Sequence, residues 1–469
     1  MKCRLEHDCI GGREVPDEAI YGVQTLRASE NFMITGIPIH HYPQLINSLA
    51  YIKKAAALTN NELGHLDDEK TEAIAAACDQ LLEGKFHENF IVDVIQGGAG
   101  TSTNMNANEV IANLGLMHMG AEKGDYDKLH PNIHVNMAQS TNDVYPTAIR
   151  LTLLTKMDLL IDAMEYLKNS FAEKGKEFSS IIKMGRTQLQ DAVPMTLGQE
   201  FTSYAVMIGE DIERVREAKD LIREINMGGT AIGTGLNAPP EYARIVTEKL
   251  CDLSGYHLEL APDLVEATQD TGAYVQLSGV LKRVAVKISK ICNDLRLLSS
   301  GPRCGINEIN LPKMAPGSSI MPGKVNPIIP EVVNQIAFTV IGGDMTVTMA
   351  AEAGQLELNV MEPAIAASLF NSLVIMRRGF RTLADRCISG ITANEDQCRH
   401  YVENSIGLVT ALNPYIGYEK STEVANQALT SGRSVYEIVL KKGYMSKQDL
   451  EEALSPEKMT HVHPISLRP

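Results

Sequence analysis

The sequence predicts a mostly α protein with a central domain of long helices. Three long runs of apolar residues at three- and four-residue spacing support this prediction. Strand patterns are few and short, chiefly near the N-terminus and around residues 380–420. A sustained stripe of this spacing is typical of helices packed in a bundle, so we expect the stripes to form the core.

Each predicted helix follows from its own apolar period. The expected helical segments are 43–83, 151–176, 201–225, 277–298 and a run that begins at Pro330 and continues through Ala351. We expect Gly228–Gly229 to end the third segment and Gly301–Pro302 to end the fourth, because glycine and proline end helices. The last run begins with Pro and Glu, which suit a first helical turn.

Composition excludes several classes of function. The 469 residues carry a net charge of −15, which argues against binding to nucleic acid or an anionic membrane. No apolar run approaches a membrane span, and acidic Glu6 and Asp8 follow Arg4 where a signal peptide would be apolar. The eight cysteines form no C-x-x-C pair, so zinc and iron–sulfur sites have no support. We therefore expect a reduced, cytoplasmic protein.

The segment Gly317–Pro327, which reads GSSIMPGKVNP, cannot form a helix interior because it holds two glycines and two prolines. It carries two hydroxyls, one ammonium and one carboxamide with little bulk between them. This composition is typical of a flexible lid over an anionic ligand. From composition alone, the alternative is an ordinary surface connector.

Three further segments interrupt the helical pattern with small polar residues: Gln96–Asn106, Gln139–Asp143 and Gly185–Pro194. The first has three glycines but lacks the lysine of a P-loop, so it does not predict nucleotide binding. The second consists of residue types that also cap helices, and capping remains an alternative to ligand binding. In the third, we expect Thr187 and Gln188 on the entry to the long helix over residues 198–225.

Other patterns carry weaker predictions. The glycine-rich stretch Gly228–Asn237 does not fit a dinucleotide fingerprint. We interpret it as a tight structural loop, and a second role in lining the site is an alternative. His130 and His134 have the spacing of a metal pair, but no third ligand is evident, so we interpret His134 as structural. The sequence does not assign a role to Arg27. The tail 459–469 lacks periodicity and is expected to be a flexible end.

These motifs resemble those of the aspartase/fumarase superfamily, whose members add or remove a group across the double bond of fumarate. The similarity runs from Arg13–Pro16 to about residue 440 and includes Gly317–Pro327 as the signature loop. Three places are similar to the aspartase branch rather than to fumarases. They are Gly98–Ser102, which reads GAGTS, Ser140–Asp143, which reads STND, and Gln188, where fumarases usually carry His.

The resemblance implies the architecture. Long helices of a central domain would form a twenty-helix bundle in a homotetramer, with small N- and C-terminal domains. We accordingly expect domains at 1–140, 141–390 and 391–469. Each active site would be shared by three subunits, which explains how loops far apart in sequence can act together. The 277–298 stripe would then also be a seam between subunits.

The resemblance also implies reversible elimination of ammonia from L-aspartate to give fumarate, through an enediolate intermediate. Ser318 corresponds to the general base. The substrate-binding positions are Thr101, Ser140, Thr141 and Ser319 for the carboxylate that takes up charge, Lys324 and Asn326 for the other carboxylate, and Asn142, Thr187 and Gln188 for the amino group. This chemistry implies no metal and no required cofactor, and activation by a divalent cation is left open.

Three alternatives remain. Fumarate hydratase shares the enediolate half of the mechanism and differs in the leaving group. A lyase acting on argininosuccinate or adenylosuccinate fits the STND and TQLQDAVP segments poorly. A non-catalytic helical scaffold is the alternative from another class, but it has no need to keep Thr101, Ser318, Lys324 and Asn326 together.

Overall fold

The computed structural model describes residues 2–460 and confirms a mostly α chain. Its helices are α1 Val23–Asn31, α2 Pro43–Glu62, α3 Asp68–Leu82, α4 Thr101–His118, α5 Thr141–Glu177, α6 Leu197–Ile222, α7 Tyr242–Ser254, α8 Leu264–Gln269, α9 Gly272–Leu298, α10 Ile328–Glu352, α11 Glu362–Arg386, α12 Glu395–Asn404, α13 Val409–Ile416, α14 Tyr418–Ser431, α15 Val435–Lys442, α16 Lys447–Ala453 and α17 Pro456–Thr460. Of the predicted flexible tail, residues 461–469 lie outside the described part.

The strands are short and pair two by two within residues 2–460. They are β1 Cys3–Asp8, β2 Gly11–Pro16, β3 Ile182–Thr187, β4 Gln190–Thr196, β5 Glu224–Ile225, β6 Glu259–Leu260, β7 Ile309–Asn310 and β8 Thr392–Ala393. The pairs β1–β2, β3–β4 and β7–β8 are antiparallel, and β5–β6 is parallel. The predicted strands near the N-terminus are therefore present.

The long helices agree with the apolar periods, with one correction. Helix α6 ends at Ile222, so the prediction that Gly228–Gly229 ends it is wrong. The apolar spacing in the sequence extends beyond the end of the helix, because Ile225 in strand β5 is also a buried apolar residue. No helix within residues 2–460 is long and apolar enough to cross a membrane.

Contacts divide the described residues into two units, each built from several stretches of chain. The first unit comprises 2–162, Ile212–Ala285 and Phe338–Arg377, and the second comprises Ala163–Asp211, Val286–Ala337 and 378–460. The three predicted domains, 1–140, 141–390 and 391–469, stay a prediction.

In the first unit, helix α2 packs against α3 and α7, and α3 packs against α4. Helix α3 begins where the side chain of Asp67 accepts the N–H of Lys70, which satisfies one of the free donors of the first turn. Helix α4 is buried along most of its length although its sequence is rich in asparagine. Buried polar side chains require partners, and those partners build part of the candidate site.

In the second unit, the hairpin β3–β4 packs against the small C-terminal helices. Its core includes Met184 from β3 and apolar residues from the helices that follow residue 400, namely Val402, Leu408, Leu412, Val424, Val435, Ile438, Val439 and Leu450. Burial of this apolar surface holds the hairpin in place. The tip of the hairpin remains exposed and carries two of the predicted site residues.

Candidate active site

The polar segment before helix α4 makes a turn that only glycine fits. Gly100 has φ +87°, and a Cβ there would lie 2.3 Å from Cδ1 of Tyr145. The helix begins at the next residue, Thr101, whose side chain is exposed and whose Oγ1 donates to the carbonyl of Gly98 at 2.7 Å. Residues 101–106, expected in a polar loop, are therefore the first turns of a helix.

The Ser140–Asp143 motif begins helix α5. The N–H of Ser140 donates to Oδ1 of Asp143 at 2.9 Å, and the N–H of Asn142 donates to Oγ of Ser140 at 3.2 Å. These bonds satisfy free donors at the helix start, so the capping interpretation is correct for this motif. Ser140, Thr141 and Asn142 are nevertheless only half-buried, which leaves surface for a ligand.

The glycine-rich loop after β5 packs against this motif. Oδ2 of Asp143 accepts the N–H groups of Gly228 and Thr230, both at 3.0 Å. The side chain of Asn142 donates to the carbonyl of Ala231 at 2.7 Å. The stretch Gly228–Asn237 is thus a structural loop that fixes the orientation of Asn142. Burial raises the pKa of Asp143, and its backbone N–H donors oppose that rise.

A buried ammonium lies behind the two helix starts. Lys53 is fully buried, and its Nζ donates to Oδ1 of Asn136 and Oε1 of Gln139, both at 2.9 Å. Asn104 donates both to Oδ1 of Asn136 at 3.1 Å and to Oγ1 of Thr141 at 3.2 Å. The network therefore joins the starts of α4 and α5.

The charge of this lysine is sensitive to its surroundings. Burial lowers the pKa of Lys53 to about 7, and the nearby carboxyl of Asp143 opposes that decrease. Sequence reasoning missed Lys53. A signal was present, because Lys53 follows Leu49 by one helical turn on the apolar side of α2, where an exposed lysine is not expected.

In the second unit, Thr187 ends strand β3 and Gln188 forms the turn to β4. Both residues precede the long helix, and strand β4, which was not predicted from the sequence, lies between them and α6. The hairpin escaped detection since β3 and β4 are not built of alternating apolar residues. Gln188 and Leu189 both have positive φ, at 55° and 62°.

The segment Gly317–Pro327 is an irregular loop held by its own side chains. Oγ of Ser318 accepts the N–H groups of Ile320 at 3.3 Å and Met321 at 3.1 Å. The carboxamide of Asn326 donates to the carbonyl of Gly317 at 2.5 Å, which joins the two ends of the loop.

Gly317 is required at the neck of this loop. A Cβ at Gly317 would lie 1.9 Å from the carbonyl oxygen of Lys324. Ser319 and Lys324 are exposed, and Ser318 is half-buried. The loop therefore presents a hydroxyl and an ammonium to its surroundings from a compact turn.

The predicted site residues thus fall into two groups. Thr101, Ser140, Thr141 and Asn142 belong to the first unit, and Asn104 links the helix starts that carry them. The second unit contains the others, namely Thr187, Gln188, Ser318, Ser319, Lys324 and Asn326.

The histidine pair and Arg27 make structural contacts. Nδ1 of His134 accepts the N–H of His130 at 2.8 Å, and Nδ1 of His130 accepts the N–H of Asn132 at 3.0 Å. Arg27 pairs with Asp8 at 2.8 Å. Across residues 2–460, no group of three or more His, Cys, Asp or Glu side chains is arranged to hold a metal ion.

Comparison with known proteins gives matches over nearly the whole chain. A family model described as "Lyase" matches residues 11–342, and one described as "Fumarase C C-terminus" matches residues 408–461. An aspartate ammonia-lyase of Helicobacter pylori is 59% identical over 460 residues, which are 98% of this chain and 98% of that protein.

Solved structures share the fold. A fumarate lyase:delta crystallin from Brucella melitensis, bound to cobalt, is 53% identical with a TM-score of 0.95 and covers 97% of this chain and 99% of its own. A class II fumarase from Schistosoma mansoni is 34% identical with a TM-score of 0.92 and covers 97% of this chain and 98% of its own.

Proposed function

Because this chain belongs to the aspartase/fumarase superfamily of lyases, we propose that it eliminates ammonia reversibly from L-aspartate to give fumarate. The chain is a lyase of the class that acts on carbon–nitrogen bonds. The observation that carries the specific proposal is the 59% identity, over 98% of both chains, to an aspartate ammonia-lyase. The fumarase match, at 34% identity, is more distant.

The reaction needs a site that stabilises a carbanion. A base removes a proton from the carbon beside the β-carboxylate, and the electron pair moves into that carboxylate as an enediolate. The pair then forms the double bond, the carbon–nitrogen bond breaks, and ammonia leaves. Hydrogen-bond donors that bind the enediolate more strongly than the carboxylate accelerate the first step.

Two helix starts support the assignment of the enediolate site. Thr101 is the first residue of α4, and Thr141 is the first residue of α5. The N-terminus of a helix carries a partial positive charge, which favours a growing negative charge nearby. We assign Thr101, Ser140, Thr141 and Ser319 to this carboxylate, since their hydroxyls can donate without removing its charge.

The turn around Ser318 supports its assignment as the general base. A serine hydroxyl is a weak base, so it must be held in a surrounding that favours the alkoxide. The N–H groups of Ile320 and Met321 point at Oγ and would stabilise a negative oxygen, as backbone donors do in oxyanion holes. The ammonium of Lys324 belongs to the same loop and adds positive charge.

The remaining residues would hold the other two groups of the substrate. Lys324 and Asn326 suit the α-carboxylate, because one supplies charge and the other supplies geometry. Asn142, Thr187 and Gln188 can offer oxygen atoms to the amino group. No cofactor enters this mechanism.

We propose further that the chain works as a homotetramer with each site shared by three subunits. In the single chain, Thr101, Thr187 and Lys324 are exposed, which suits residues completed by other subunits. Small molecules are the proposed partners. All eight cysteines lie within the described residues and none forms a disulfide, which agrees with the proposed cytoplasmic location.

The deciding experiment follows fumarate by ultraviolet absorbance with L-aspartate and L-malate in parallel. Fumarate from aspartate alone supports the ammonia-lyase. Fumarate from malate alone makes the chain a hydratase and contradicts the amine-binding roles of Asn142, Thr187 and Gln188. A folded protein that makes fumarate from neither substrate contradicts both activities.

A further inference from the structure

Four charged side chains lie together beneath the hairpin β3–β4. Glu308 is fully buried, and its Oε1 lies 2.7 Å from Nη1 of Arg186 while its Oε2 lies 3.0 Å from Nζ of Lys183. Lys183 also pairs with Glu200. Two cations and two carboxylates thus balance in charge, and Glu308 is the carboxylate that contacts both cations.

The charges persist despite burial. Burial alone would lower the pKa of Lys183, but Glu200 and Glu308 outweigh it and hold that pKa above its ordinary value. Buried ion pairs often contribute little net stability, because desolvation offsets their attraction. What such a pair does supply is a fixed geometry between the elements that it joins.

Glu308 is a rigid anchor for this geometry. Its N–H donates to the carbonyl of Leu298 at 2.9 Å, and its carbonyl accepts the N–H of Asn394 at 2.8 Å. The next residue, Ile309, pairs with Ala393 in the β7–β8 ladder. The main chain of Glu308 is therefore fixed by hydrogen bonds at both its N–H and its carbonyl. The carboxylate of this fixed residue in turn holds the guanidinium of Arg186.

The hairpin tip needs an anchor because its backbone is strained. Gln188 and Leu189 have φ of 55° and 62°, a left-handed conformation that is unfavourable for a residue other than glycine. Such strain persists only where the surroundings impose it, and it is frequent at functional sites. Arg186 immediately precedes Thr187, so its contacts control where the tip begins.

Further contacts hold the tip from both strands. The guanidinium of Arg186 lies over the ring of Tyr401 at 5.3 Å. On the other strand, Oδ2 of Asp191 accepts the hydroxyl of Ser405 at 2.7 Å. Thr187, Gln188 and Leu189 at the tip itself are exposed.

We infer that Glu308 is a positioning residue for the substrate's amino group, acting through Arg186 on the tip that carries Thr187 and Gln188. The inference rests on the proposed ammonia-lyase function and assigns a role to a residue that does not touch substrate. The expected effect is selective for the amino group of the substrate. Loss of the contact between Glu308 and Arg186 displaces the amine-binding tip and leaves the carboxylate-binding hydroxyls of the first unit unchanged.

The test uses the reverse reaction, in which fumarate and ammonia have separate KM values. Glu308→Gln leaves buried Lys183 and half-buried Arg186 with one carboxylate, which endangers folding. The charge-balanced double variant Arg186→Gln/Glu308→Gln avoids this excess charge. Each variant is first checked for a wild-type circular dichroism spectrum. The full-length protein is used throughout.

We expect the double variant to raise the KM for ammonia about tenfold or more and to leave the KM for fumarate within about twofold, because small displacements of binding groups have large kinetic effects. Glu200→Gln is the matched control, since it removes a carboxylate from the same cluster without touching Arg186. It should lower the melting temperature and leave both KM values unchanged. Arg186→Lys keeps the charge but loses the planar guanidinium that lies over the ring of Tyr401, and a smaller rise in the ammonia KM is expected.

Two outcomes overturn the inference. One is a folded double variant in which both KM values rise equally or neither changes. The other is a Glu200→Gln control that raises the ammonia KM as much as the double variant does. Failure of the proposed function is distinguishable, because the wild-type protein would then produce no fumarate from L-aspartate.

Discussion

The carboxylate of Asp143 accepts the backbone N–H of Thr230 at 3.0 Å, although the two residues are 87 positions apart in the chain. The same oxygen accepts the N–H of Gly228, and the other oxygen accepts the N–H of Ser140. One buried side chain therefore fixes both the start of helix α5 and the loop that orients Asn142.

We expect Asp143→Asn to lower kcat/KM for L-aspartate by about 10- to 100-fold, because a small displacement of the binding hydroxyls is costly to catalysis. An amide has one oxygen, so at least one of the buried N–H groups loses its acceptor. Steady-state kinetics and thermal melting measure the effect.

Asp263→Asn is the matched control for this substitution. Asp263 caps helix α8 from an exposed position and accepts the N–H groups of Val265 and Glu266. Its substitution should leave kcat/KM unchanged and stability within about 1 kcal/mol. Equal kinetic losses in the two variants would show that the Asp143 contacts are not specific to the site.

Gly100→Ala should both destabilise the protein and displace Thr101. The added Cβ would meet the ring of Tyr145 at 2.3 Å, and φ +87° is unfavourable for alanine. The two effects together should cost about 3 kcal/mol. Gly120→Ala is the control, because Gly120 has φ +71° with open space around it and should lose about 1 kcal/mol. Equal melting temperatures for the two variants would contradict the packing argument.

The long helices α5, α6, α9 and α10 could be predicted from the sequence because their buried faces are apolar at helical spacing, whereas helix α11 was not predicted. Helix α4 could not be predicted in this way, since much of its buried surface is asparagine, as at Asn104, Asn106 and Asn108. These side chains are buried among polar partners rather than in an apolar core. A search for apolar residues at helical spacing does not detect such a buried polar face.

The resemblance predicts only the outer part of the candidate site, namely the exposed hydroxyls and Lys324. It gave no indication of Lys53 or Glu308, whose importance depends on three-dimensional contacts with Asn136 and Arg186. The hairpin that carries Gln188 was not predicted, because its turn lacks the glycine that usually indicates a tight hairpin.

A pH dependence of stability should follow from Glu362, the first residue of helix α11. Burial raises its pKa to about 8, and Arg150 opposes the rise. Between the unfolded value near 4.5 and the folded value, the folded protein binds more protons than the unfolded chain. The contribution is thus fully present below about pH 4.5 and is lost as pH rises to about 8, with a slope of up to about 1.4 kcal/mol per pH unit.

Glu362→Gln should remove that slope. Denaturant melts from pH 5 to 8 should show the variant gaining stability relative to wild type as pH rises, because glutamine has no proton to lose. Glu357→Gln, at an exposed position nearby in sequence, is the control and should track the wild type. A difference between Glu362→Gln and wild type that is independent of pH would contradict the prediction.

Ser318→Ala should abolish nearly all turnover of L-aspartate while leaving the fold intact. The hydroxyl is the proposed base, so its removal leaves the proposed mechanism without its proton acceptor. Its loss frees the N–H groups of Ile320 and Met321, but both residues are exposed and water can replace the acceptor. The melting temperature should therefore change little, in keeping with about 0.5 kcal/mol for a surface substitution.

Ser319→Ala separates the base from its neighbour in the same loop. Ser319 is assigned to binding the enediolate, so its loss should reduce kcat by about 10²-fold, as removal of one oxyanion donor does, without abolishing turnover. Exchange of the substrate's β-proton with solvent should persist in Ser319→Ala and disappear in Ser318→Ala. The contrary result is a Ser318→Ala variant that keeps a tenth or more of wild-type turnover, which corresponds to an activation barrier raised by roughly 1.4 kcal/mol or less. That result would mean that another group removes the proton.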